Sequence, residues 1–515
     1  MNLNKLFTAL RQRVNSPARI QRAERRKRYT HALEQFLDGH QPAVRLGGVY
    51  TLADLADEWL TDASIPEQVR REEAQTIIDA LTGCIRTPYP LAQNRQILEA
   101  DEAPEGYEGD FARDQVALRE EQLVRRTVFM ELSRRLTAVS ESSKAGHKKS
   151  QRTVPPISPM WADLRFDFGG APIFYPLQQL YFQNADFASA TFYGPADFFG
   201  ATFHGDTSFS AAQFTADASF HGATFTGEAD FSDAVFSAAA DFGVASFEAD
   251  ANFSHLNTAG IASFTAITFG GEAIFTASTF HDEAHFAASV FNRPAVFSKS
   301  LFGGAARFAG IATKQTAVFC SVRFAGAADF SGATFTQYAD FSGARFDGDA
   351  MFSRSNFFAV IRTSYDMDFP QYANFANAAF AQGADFSEAT FTAFVGFGRA
   401  TFAGTVSFNG ANFAGAYFAD AKFSQKADFR QTRFSYAEPS FWDSEGQQKS
   451  ARFSAQADPQ DYLFEVRPES PHGFSCGTAE LLNRTFVLPL GAVLYDPDSW
   501  DEEKQEYTRI SEPAQ

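Results

Sequence analysis

The stretch His281–His285 reads HDEAH, and two histidines separated by carboxylates are the residue types that bind Zn²⁺ in many enzymes. That motif requires a helix, because only helical geometry brings both imidazoles to one face. Here the stretch lies between Phe280 and Phe286, inside a repeat whose spacing is not helical. We therefore expect His281 and His285 to be surface histidines on different faces, and we predict no metal site.

Other chemically competent residues are also scattered. The three cysteines, Cys84, Cys320 and Cys476, are hundreds of residues apart. This spacing predicts neither a disulfide framework nor a zinc site and favours a reducing compartment. We find no glycine-rich dinucleotide or phosphate loop and no nucleophile arranged with a base. The sequence therefore predicts no catalytic residue, no cofactor and no enzymatic activity.

The residues that dominate the chain are phenylalanines, of which there are 59 among 515 residues. Fifteen of them follow one another at a fixed step of eleven from Phe198 to Phe352. A second Phe follows each of these after five residues, except where Thr258 and Thr313 replace it. Alanine stands two residues before each first Phe, with Thr207 as the exception. A fixed period of this kind is typical of a repeat architecture.

A period of eleven is also found in right-handed α-helical coiled coils. Such helices need apolar residues three and four apart, whereas these Phe residues are five and six apart among Gly, Thr, Ser and Asp, which are poor helix formers. Ala and Phe separated by one polar residue indicate instead a very short strand with alternate side chains inward. The two or three residues between such strands predict a turn.

Stretches such as EADFSDAVF at 228–236 and ADFSGATF at 328–335 resemble the bacterial pentapeptide-repeat family, in a Phe-rich variant built from an eleven-residue double repeat. The resemblance covers roughly residues 182–434. It implies a right-handed quadrilateral β-solenoid, with Phe and Ala inside and no site among them. Four strands of this spacing close a coil of 22 residues, which predicts roughly eleven coils. The interval from Phe352 to Phe375 is interpreted as one coil plus one inserted residue.

Helical periodicity precedes the repeat in four segments. The apolar residues are Tyr29 to Leu37, Val49 to Leu60, Val69 to Ile85, and Val124 to Leu136. The stretch 32–58 resembles the HEAT/armadillo-like helical segment that precedes pentapeptide repeats in some bacterial proteins. The expected fold class is therefore α+β and multidomain, with an all-α module followed by the β-solenoid.

The ends of the chain are interpreted from charge and composition. Leu3, Leu6, Phe7, Leu10 and Val14 have helical spacing beside Lys and Arg, and a basic run follows at 22–28. This start either contacts an anionic membrane surface or packs on the helical domain. Residues 481–497 predict a pair of strands or an extension over the open end of the solenoid. The last residues, from Ser499, are expected to be solvated or disordered.

Together these patterns predict five segments: a basic amphipathic start at 1–28, a helical domain at 29–138, a linker at 139–160, the solenoid at 161–440, and a C-terminal cap with an acidic tail at 441–515. We see neither a signal peptide nor an apolar run that could span a membrane. The sequence therefore favours a cytoplasmic protein, with peripheral membrane contact through residues 1–28 as the open alternative. Nothing in the sequence selects an oligomeric state.

The net charge of −18 is unevenly distributed. Between Arg165 and Arg293 the chain has no Lys or Arg but contains fourteen Asp and Glu residues. The outward aspartates of this region form the candidate interaction surface: Asp197, Asp206, Asp217, Asp230, Asp241 and Asp250.

Two functions follow from the repeat and the charge. The preferred hypothesis is a non-enzymatic scaffold that binds unidentified proteins on the faces of a rigid solenoid. The alternative is an acidic DNA mimic that binds a type II topoisomerase or another DNA-binding protein, because some pentapeptide-repeat proteins act in this way. Direct nucleic-acid binding is not expected from a negatively charged surface.

Overall fold

A computed structural model of the protein describes residues 17–39, 41–137, 161, 163–177, 181–358, 373–443 and 449–515. The chain forms two compact units. The N-terminal unit comprises Met1–Ser219 and Thr224–Gly227, and the C-terminal unit comprises Phe220–Ala223 and Glu228–Gln515. The amphipathic segment predicted at 3–14 and most of the predicted linker fall outside the described residues.

The N-terminal unit begins with helices where the sequence predicts them. The described helices are α1 (Pro17–Phe36), α2 (Pro42–Thr61), α3 (Glu67–Arg86), α4 (Arg95–Leu98) and α5 (Phe111–Thr137), with a 3-10 helix at Pro90–Asn94. Proline at the first position suits α2, because the first N–H groups of a helix have no partner within it. The periodic apolar residues of α2 and α3, among them Leu52 and Ile78, are buried. The HEAT/armadillo-like character of the module stays a prediction.

The first coils of the solenoid belong to the same unit. Their strands pair in parallel with strands of the next coil, for example Thr202 with Thr224. The strands are Phe166–Asp167, Pro172–Ile173, Tyr181–Gln183, Ala185–Asp186, Thr191–Phe192, Ala196–Asp197, Thr202–His204, Thr207–Ser208, Gln213–Phe214, Ala218–Ser219 and Thr224–Phe225.

Helix α5 covers the first coil. The ring of Phe129 stacks on Phe168 with 4.6 Å between ring centroids, and Phe168 stacks on Phe187 of the next coil at 4.9 Å. Phe129 therefore continues a column of solenoid rings from a helix. Because the open end of a β-solenoid exposes unpaired strands and apolar rings, such a cover is required for stability.

The C-terminal unit continues the same pattern as four parallel ladders, one for each strand of a coil. The first ladder contains Ala229–Asp230, Ala251–Asn252, Ala273–Ile274, Ala295–Val296, Ala317–Val318, Ala339–Asp340 and Ala373–Asn374. The second contains Val235–Phe236, Asn257–Thr258, Thr279–Phe280, Leu301–Phe302, Arg323–Phe324, Arg345–Phe346, Ala379–Phe380, Thr401–Phe402, Lys422–Phe423, Arg452–Ser454 and Val493–Tyr495.

The third ladder contains Ala240–Asp241, Ala262–Ser263, Ala284–His285, Ala306–Arg307, Ala328–Asp329, Ala350–Met351, Ala384–Asp385, Val406–Ser407, Ala427–Asp428 and Tyr462–Leu463. The fourth contains Ser246–Phe247, Thr268–Phe269, Val290–Phe291, Ala312–Thr313, Thr334–Phe335, Asn356–Phe357, Thr390–Gly396, Asn412–Tyr417 and Arg433–Phe434. The strands Thr390–Gly396 and Asn412–Tyr417 run on around the corner into the first ladder.

Phenylalanine rings fill the interior in columns. Phe253 stacks on Phe275 at 4.8 Å with nearly parallel planes, the strand-to-strand distance of a sheet. Rings of adjacent columns meet edge to face, as Phe253 and Phe264 do at 5.3 Å and 87°. These residues and the motif alanines are buried, as expected from the repeat. The fold class is confirmed: N-terminal helices precede a parallel β-solenoid of about eleven turns.

A tight turn follows the first Phe of each eleven-residue repeat. The N–H group three residues after Phe donates to the Phe carbonyl, as Ala245 does to Phe242 at 3.1 Å, and the residue between them has positive φ. Glycine adopts this conformation without strain and occupies it at Gly222 and Gly332. The residue three positions after Phe is buried at this turn: Ala245 is 1% exposed, and Leu256 and Ile267 are 1% and 0% exposed at the equivalent position of the next two repeats.

The register after Phe352 differs from the prediction. Phe375 stacks on Phe341, and Phe386 stacks on Phe352, so both pairs are 34 residues apart instead of 22. The prediction of one coil with one inserted residue is therefore wrong, because twelve residues are inserted within a coil.

Strand pairing also continues past Phe434, where the repeat motif ends. Arg452–Ser454 pairs with Lys422–Phe423, and Val493–Tyr495 pairs in turn with Arg452–Ser454. A hairpin of Cys476–Leu481 and Arg484–Pro489 buries Phe486 against Tyr462. The predicted boundary at 440 stays a prediction, and the sheets of the solenoid extend beyond it.

The last residues were expected to be solvated or disordered; most of them are exposed, but they are ordered. Trp500–Asp501 and Glu506–Tyr507 form a second hairpin. The backbone N–H of Ala514 donates to the carbonyl of Ala492, and that of Thr478 donates to the carbonyl of Gln515. The charged composition of this tail concealed its few anchoring contacts, such as the buried Ala514.

Candidate interaction surface

The six candidate aspartates fall into two groups with different local roles. Asp197, Asp230 and Asp241 directly follow a motif Ala, and each accepts a hydrogen bond from the backbone N–H two residues later, at 2.8–3.0 Å. This contact closes the turn after Phe, which gives a structural reason for Asp or Asn at that position. These half-buried carboxylates therefore have one oxygen committed to the backbone.

The other group, Asp206, Asp217 and Asp250, lies at the corners that precede strands. All three are exposed. Asp250 accepts a hydrogen bond from the backbone N–H of Glu272 on the next coil at 2.8 Å. The corner carboxylates project further from the solenoid than the turn-closing group and are the better candidates for contact with a partner.

The candidate aspartates do not share one face. In the N-terminal unit, Asp197 lies in the third strand of its coil and Asp217 precedes the third strand of the next coil, while Asp206 precedes the strand Thr207–Ser208. In the C-terminal unit, Asp230 and Asp250 lie at the first ladder, and Asp241 lies in the third. The candidate surface is therefore distributed over opposite parts of the coil, which the sequence period alone did not reveal.

A line of carboxylates runs along one corner of the C-terminal unit. Glu228, Asp250 and Glu272 each precede a strand of the first ladder, at equivalent positions of successive coils. Paired strands are about 4.8 Å apart, so these carboxylates follow one another at nearly that distance. We call these three residues the acidic corner.

Cationic side chains accompany acidic ones further along the C-terminal unit. The Nε atoms of Arg323 and Arg345, neighbours in the second ladder, bind the two carboxylate oxygens of Asp347 at 2.8 and 2.5 Å. The hydrogen bonds from Arg345 and then Arg323 hold the pKa of Asp347 below its usual range. Arg323 and Arg345 therefore form a basic site whose positive charge is partly neutralised by Asp347.

The HDEAH stretch has the geometry of a surface ion pair. His285 Nε2 lies 2.8 Å from Glu283 Oε2, which also accepts from Arg307 at 2.8 Å. The hydrogen bond with His285 and the charge of Arg307 hold the pKa of Glu283 below its usual range. His281 is exposed in the turn after Phe280. Across the described ranges, no His, Cys, Asp and Glu side chains form a group of three or more that could hold a metal ion.

The cysteines show no pairing in the described chain: Cys84, Cys320 and Cys476 are all free. Burial raises the pKa of the Cys84 thiol, although Arg125 and Arg45 lie nearby. A thiol held in its protonated form is a poor nucleophile.

The basic run at 22–28, for which membrane contact and packing on the helical domain were the two alternatives, lies in α1. Arg25 binds Asp62 at 2.8 Å, Arg26 binds Glu73 at 2.5 Å, and Arg28 binds Glu58 at 2.9 Å. These carboxylates of α2 and α3 neutralise much of the charge that an anionic surface would attract. Among the described residues, no helix has the length and apolar character needed to cross a membrane.

One exposed group on α5 was not predicted from the sequence. Besides the predicted apolar positions Val124, Val128 and Leu132, the helix has a second apolar set at a spacing of seven: Val116, Leu123 and Met130. Arg119 and Arg126 lie beside this set, also seven residues apart. We call these five residues the α5 outer surface. The seven-residue spacing of these apolar residues could have revealed the surface from the sequence.

Comparison with known proteins agrees with the geometry of the coils. The family model described as pentapeptide repeats (9 copies) matches residues 181–224. The matched residues 181–224 are therefore a pentapeptide-repeat segment of the β-solenoid. Neither a curated protein nor a solved structure matches the chain.

Proposed function

We propose that this pentapeptide-repeat protein is a non-enzymatic scaffold that binds other proteins on the outer faces of its solenoid. The observation that carries the proposal is the filled interior. The Phe and Ala residues of the motif are at most 5% exposed in the described coils, so the solenoid core holds no ligand. Binding is left to outward side chains, whose charge changes along the chain and between faces.

The fold suits this role because its surface is fixed by the backbone. Each coil hydrogen-bonds to the next, and side chains at equivalent positions repeat at the distance between paired strands. Outward residues are therefore held in a regular array with little conformational freedom, which lowers the entropic cost of binding a partner. Repeat solenoids present extended surfaces of this kind.

Affinity purification of the full chain from its native cells tests the proposal when face variants are compared. One variant carries Glu228→Lys, Asp250→Lys and Glu272→Lys in the acidic corner, and another carries Arg323→Glu and Arg345→Glu. A charge-matched control carries Glu469→Lys, Glu502→Lys and Glu503→Lys, which are exposed outside the repeats. We expect at least one protein to bind the wild type and the control but to be reduced about tenfold by one face variant. The same proteins recovered with every variant would contradict the proposal.

The acidic corner supports a second candidate, an acidic DNA mimic that binds a type II topoisomerase or another DNA-binding protein. B-DNA carries one charge per about 1.7 Å of its axis. The acidic region from Asp167 to Glu283 contains fourteen carboxylates and no Lys or Arg. The division of its aspartates between opposite ladders weakens the likeness to a duplex, so we rank this function second.

Supercoiling by a purified bacterial type II topoisomerase tests the second candidate. Inhibition at micromolar concentrations of the full chain, relieved by added salt and by the three Lys substitutions in the acidic corner, is the expected result. Unchanged supercoiling would eliminate a type II topoisomerase as the partner and leave the scaffold proposal intact.

A further inference from the structure

The α5 outer surface is an apolar stripe on a helix whose other sides are packed. Val116, Leu123 and Met130 are 53%, 50% and 54% exposed, whereas Val124 and Val128 on the opposite side are fully buried. Residues seven apart lie nearly above one another on a helix, so the stripe runs along the axis for about 21 Å. A second helix packs along a stripe of this spacing.

The charge on one flank of the stripe is positive, whereas the exposed Glu120 lies on the other flank. Arg119 and Arg126 are exposed and lie on the same flank, and their guanidinium groups make neither a hydrogen bond nor an ion pair within the described part of the chain. Most other arginines of the helical module are engaged with carboxylates, as Arg25 and Arg28 are. Two unengaged guanidinium groups beside an apolar stripe favour a partner that bears carboxylates at matching positions.

Neighbouring elements hold α5 on both flanks of the stripe. Gln122 Nε2 donates to the carbonyl of Phe174 at 2.8 Å, and the backbone N–H of Tyr181 donates to Ser133 Oγ at 2.9 Å, so one flank rests on the first coil. On the other flank, Arg135 binds Asp54 and Asp57 of α2, each at 2.8 Å. The stripe is therefore rigid and lies between two packed elements.

We propose that the α5 outer surface binds an acidic amphipathic helix of a partner protein, with apolar residues of that helix on Val116, Leu123 and Met130 and its carboxylates on Arg119 and Arg126. This inference deepens the scaffold function proposed above by assigning the helical module its own partner class. Met130 adapts to varied apolar side chains because its thioether is flexible.

Two other occupants fit less well. A second copy packed antiparallel on the same surface brings the arginine flanks together, which costs binding energy through like-charge repulsion. A lipid bilayer is flat, whereas the stripe lies between the first coil and α2 with only three apolar side chains available to enter it. The basic segment 1–16 of the same chain matches the apolar spacing but has the wrong charge for Arg119 and Arg126.

Fluorescence anisotropy with a designed peptide tests the proposal on the full chain. The probe is a helical peptide of about three heptads with Leu at the core positions and Glu on the flanks, and the matched peptide has Lys in place of Glu. We expect the Glu peptide to bind at least about tenfold more tightly than the Lys peptide. Leu123→Glu, and separately Arg119→Glu with Arg126→Glu, should each weaken binding of the Glu peptide about tenfold or more.

Leu37→Glu is the matched control, because Leu37 is 62% exposed on the same module outside the surface. It should leave binding unchanged, and circular dichroism verifies that each variant is folded. Equal affinity for both peptides, or undiminished binding by the Leu123 and arginine variants, overturns the proposal.

Two further measurements separate the other occupants. Association with phosphatidylserine vesicles that Leu123→Glu abolishes would assign the surface to a membrane, and self-association in sedimentation that Leu123→Glu abolishes would assign it to a second copy. Either result replaces the proposed occupant. Because none of these assays uses the solenoid faces, failure here leaves the scaffold test above unaffected.

Discussion

At the residue scale, exceptions to the repeat reveal what each position requires. Thr258 replaces a column Phe between Phe236 and Phe280 and is fully buried, and its hydroxyl has no hydrogen-bond partner. The preceding inward residue is the buried Leu256, where the neighbouring coils of the same ladder have Ala234 and Ser278. We infer that the larger aliphatic side chain compensates for the missing ring, because protein interiors are close-packed.

Thr258→Val should stabilise the protein by about 1 kcal/mol, because it removes a buried hydroxyl without a partner and keeps the shape of the side chain. Ser278→Ala is the matched control of opposite sign. Ser278 Oγ donates to the carbonyl of Phe253 at 2.6 Å, so its loss should destabilise by about 1 kcal/mol. Urea unfolding measures both, and a destabilised Thr258→Val variant would show that its hydroxyl is satisfied.

Turn positions give a second prediction. Val244 has φ of 58°, a strained value for a β-branched residue, and is 58% exposed. Val244→Gly should stabilise by about 0.5–1 kcal/mol, since the strain relieved exceeds the entropy that glycine loses on folding.

Gly222 occupies the same turn position one coil earlier, with φ of 65° and no atom within 4 Å of an added Cβ. Gly222→Val should therefore destabilise by about 1–2 kcal/mol through the backbone alone. Thermal unfolding of the two exchanges should show opposite shifts, and shifts of the same sign would refute this account of the turn.

At the element scale, ionic contacts hold the helical module together. Glu121 of α5 accepts from Arg125 at 2.6 Å and from Arg45 of α2 at 2.5 Å, and it is 8% exposed. Arg125 also donates to the carbonyls of Ile85 and Thr87 at the end of α3. One carboxylate thereby joins three helices.

This contact makes the module sensitive to acid. Burial alone would raise the pKa of Glu121, but the hydrogen bonds from Arg45 and Arg125 hold it below its usual range. A carboxyl whose folded pKa is lowered stabilises the protein fully above its unfolded pKa of about 4.3, and this stabilisation disappears as the pH falls through the folded value.

Glu121→Gln should cost about 3 kcal/mol at neutral pH, because it leaves two guanidinium groups without their buried counter-charge. The difference from wild type should shrink as the pH is lowered towards about 3. Far-UV circular dichroism during urea unfolding follows the helices, and Glu105→Gln at an exposed site is the control. An equal difference at both pH values would contradict the assignment.

The sequence predicted correctly the elements that are determined by the eleven-residue period of Phe. Phe at a step of eleven determines which side chains are inside and which strands pair, so the ladders follow directly. The same reasoning gave the wrong register for Phe375. The 23-residue interval from Phe352 to Phe375 fits either one coil with one inserted residue or half a coil with twelve inserted residues. It could not separate the turn-closing Asp241 from the exposed Asp250, since that difference lies in the hydrogen bonds of each corner.

At the scale of the whole molecule, aromatic side chains from non-repetitive elements continue the interior at the end of each unit. In the N-terminal unit this is Phe129 of α5. In the C-terminal unit Phe453 stacks on Phe423 at 4.6 Å, and Phe464 stacks on Phe429 at 5.4 Å. Residues with no repeat motif therefore extend both the strand ladders and the ring columns.

This continuity predicts the effect of ending the chain at residue 440. Strands Arg452–Ser454 and Tyr462–Leu463 would be lost, which would expose the edges of Lys422–Phe423 and Ala427–Asp428 together with the rings of Phe423 and Phe429. Unpaired edges with apolar rings associate with one another. We therefore expect the shortened chain to self-associate more strongly than the full chain, as measured by sedimentation velocity over a range of concentrations.

A chain ending at residue 498 is the control, because it keeps the strand Val493–Tyr495 and every parallel ladder of the C-terminal unit. It loses the hairpin of Trp500–Asp501 and Glu506–Tyr507, along with the contacts of Lys422 with the ring of Tyr507. Its thermal stability should fall, and it should associate less than the chain ending at 440, because only the edge of Val493–Tyr495, which pairs with Ile510 in the full chain, is uncovered. If both shortened chains associate equally, the tail and not the ladder protects the end of the solenoid.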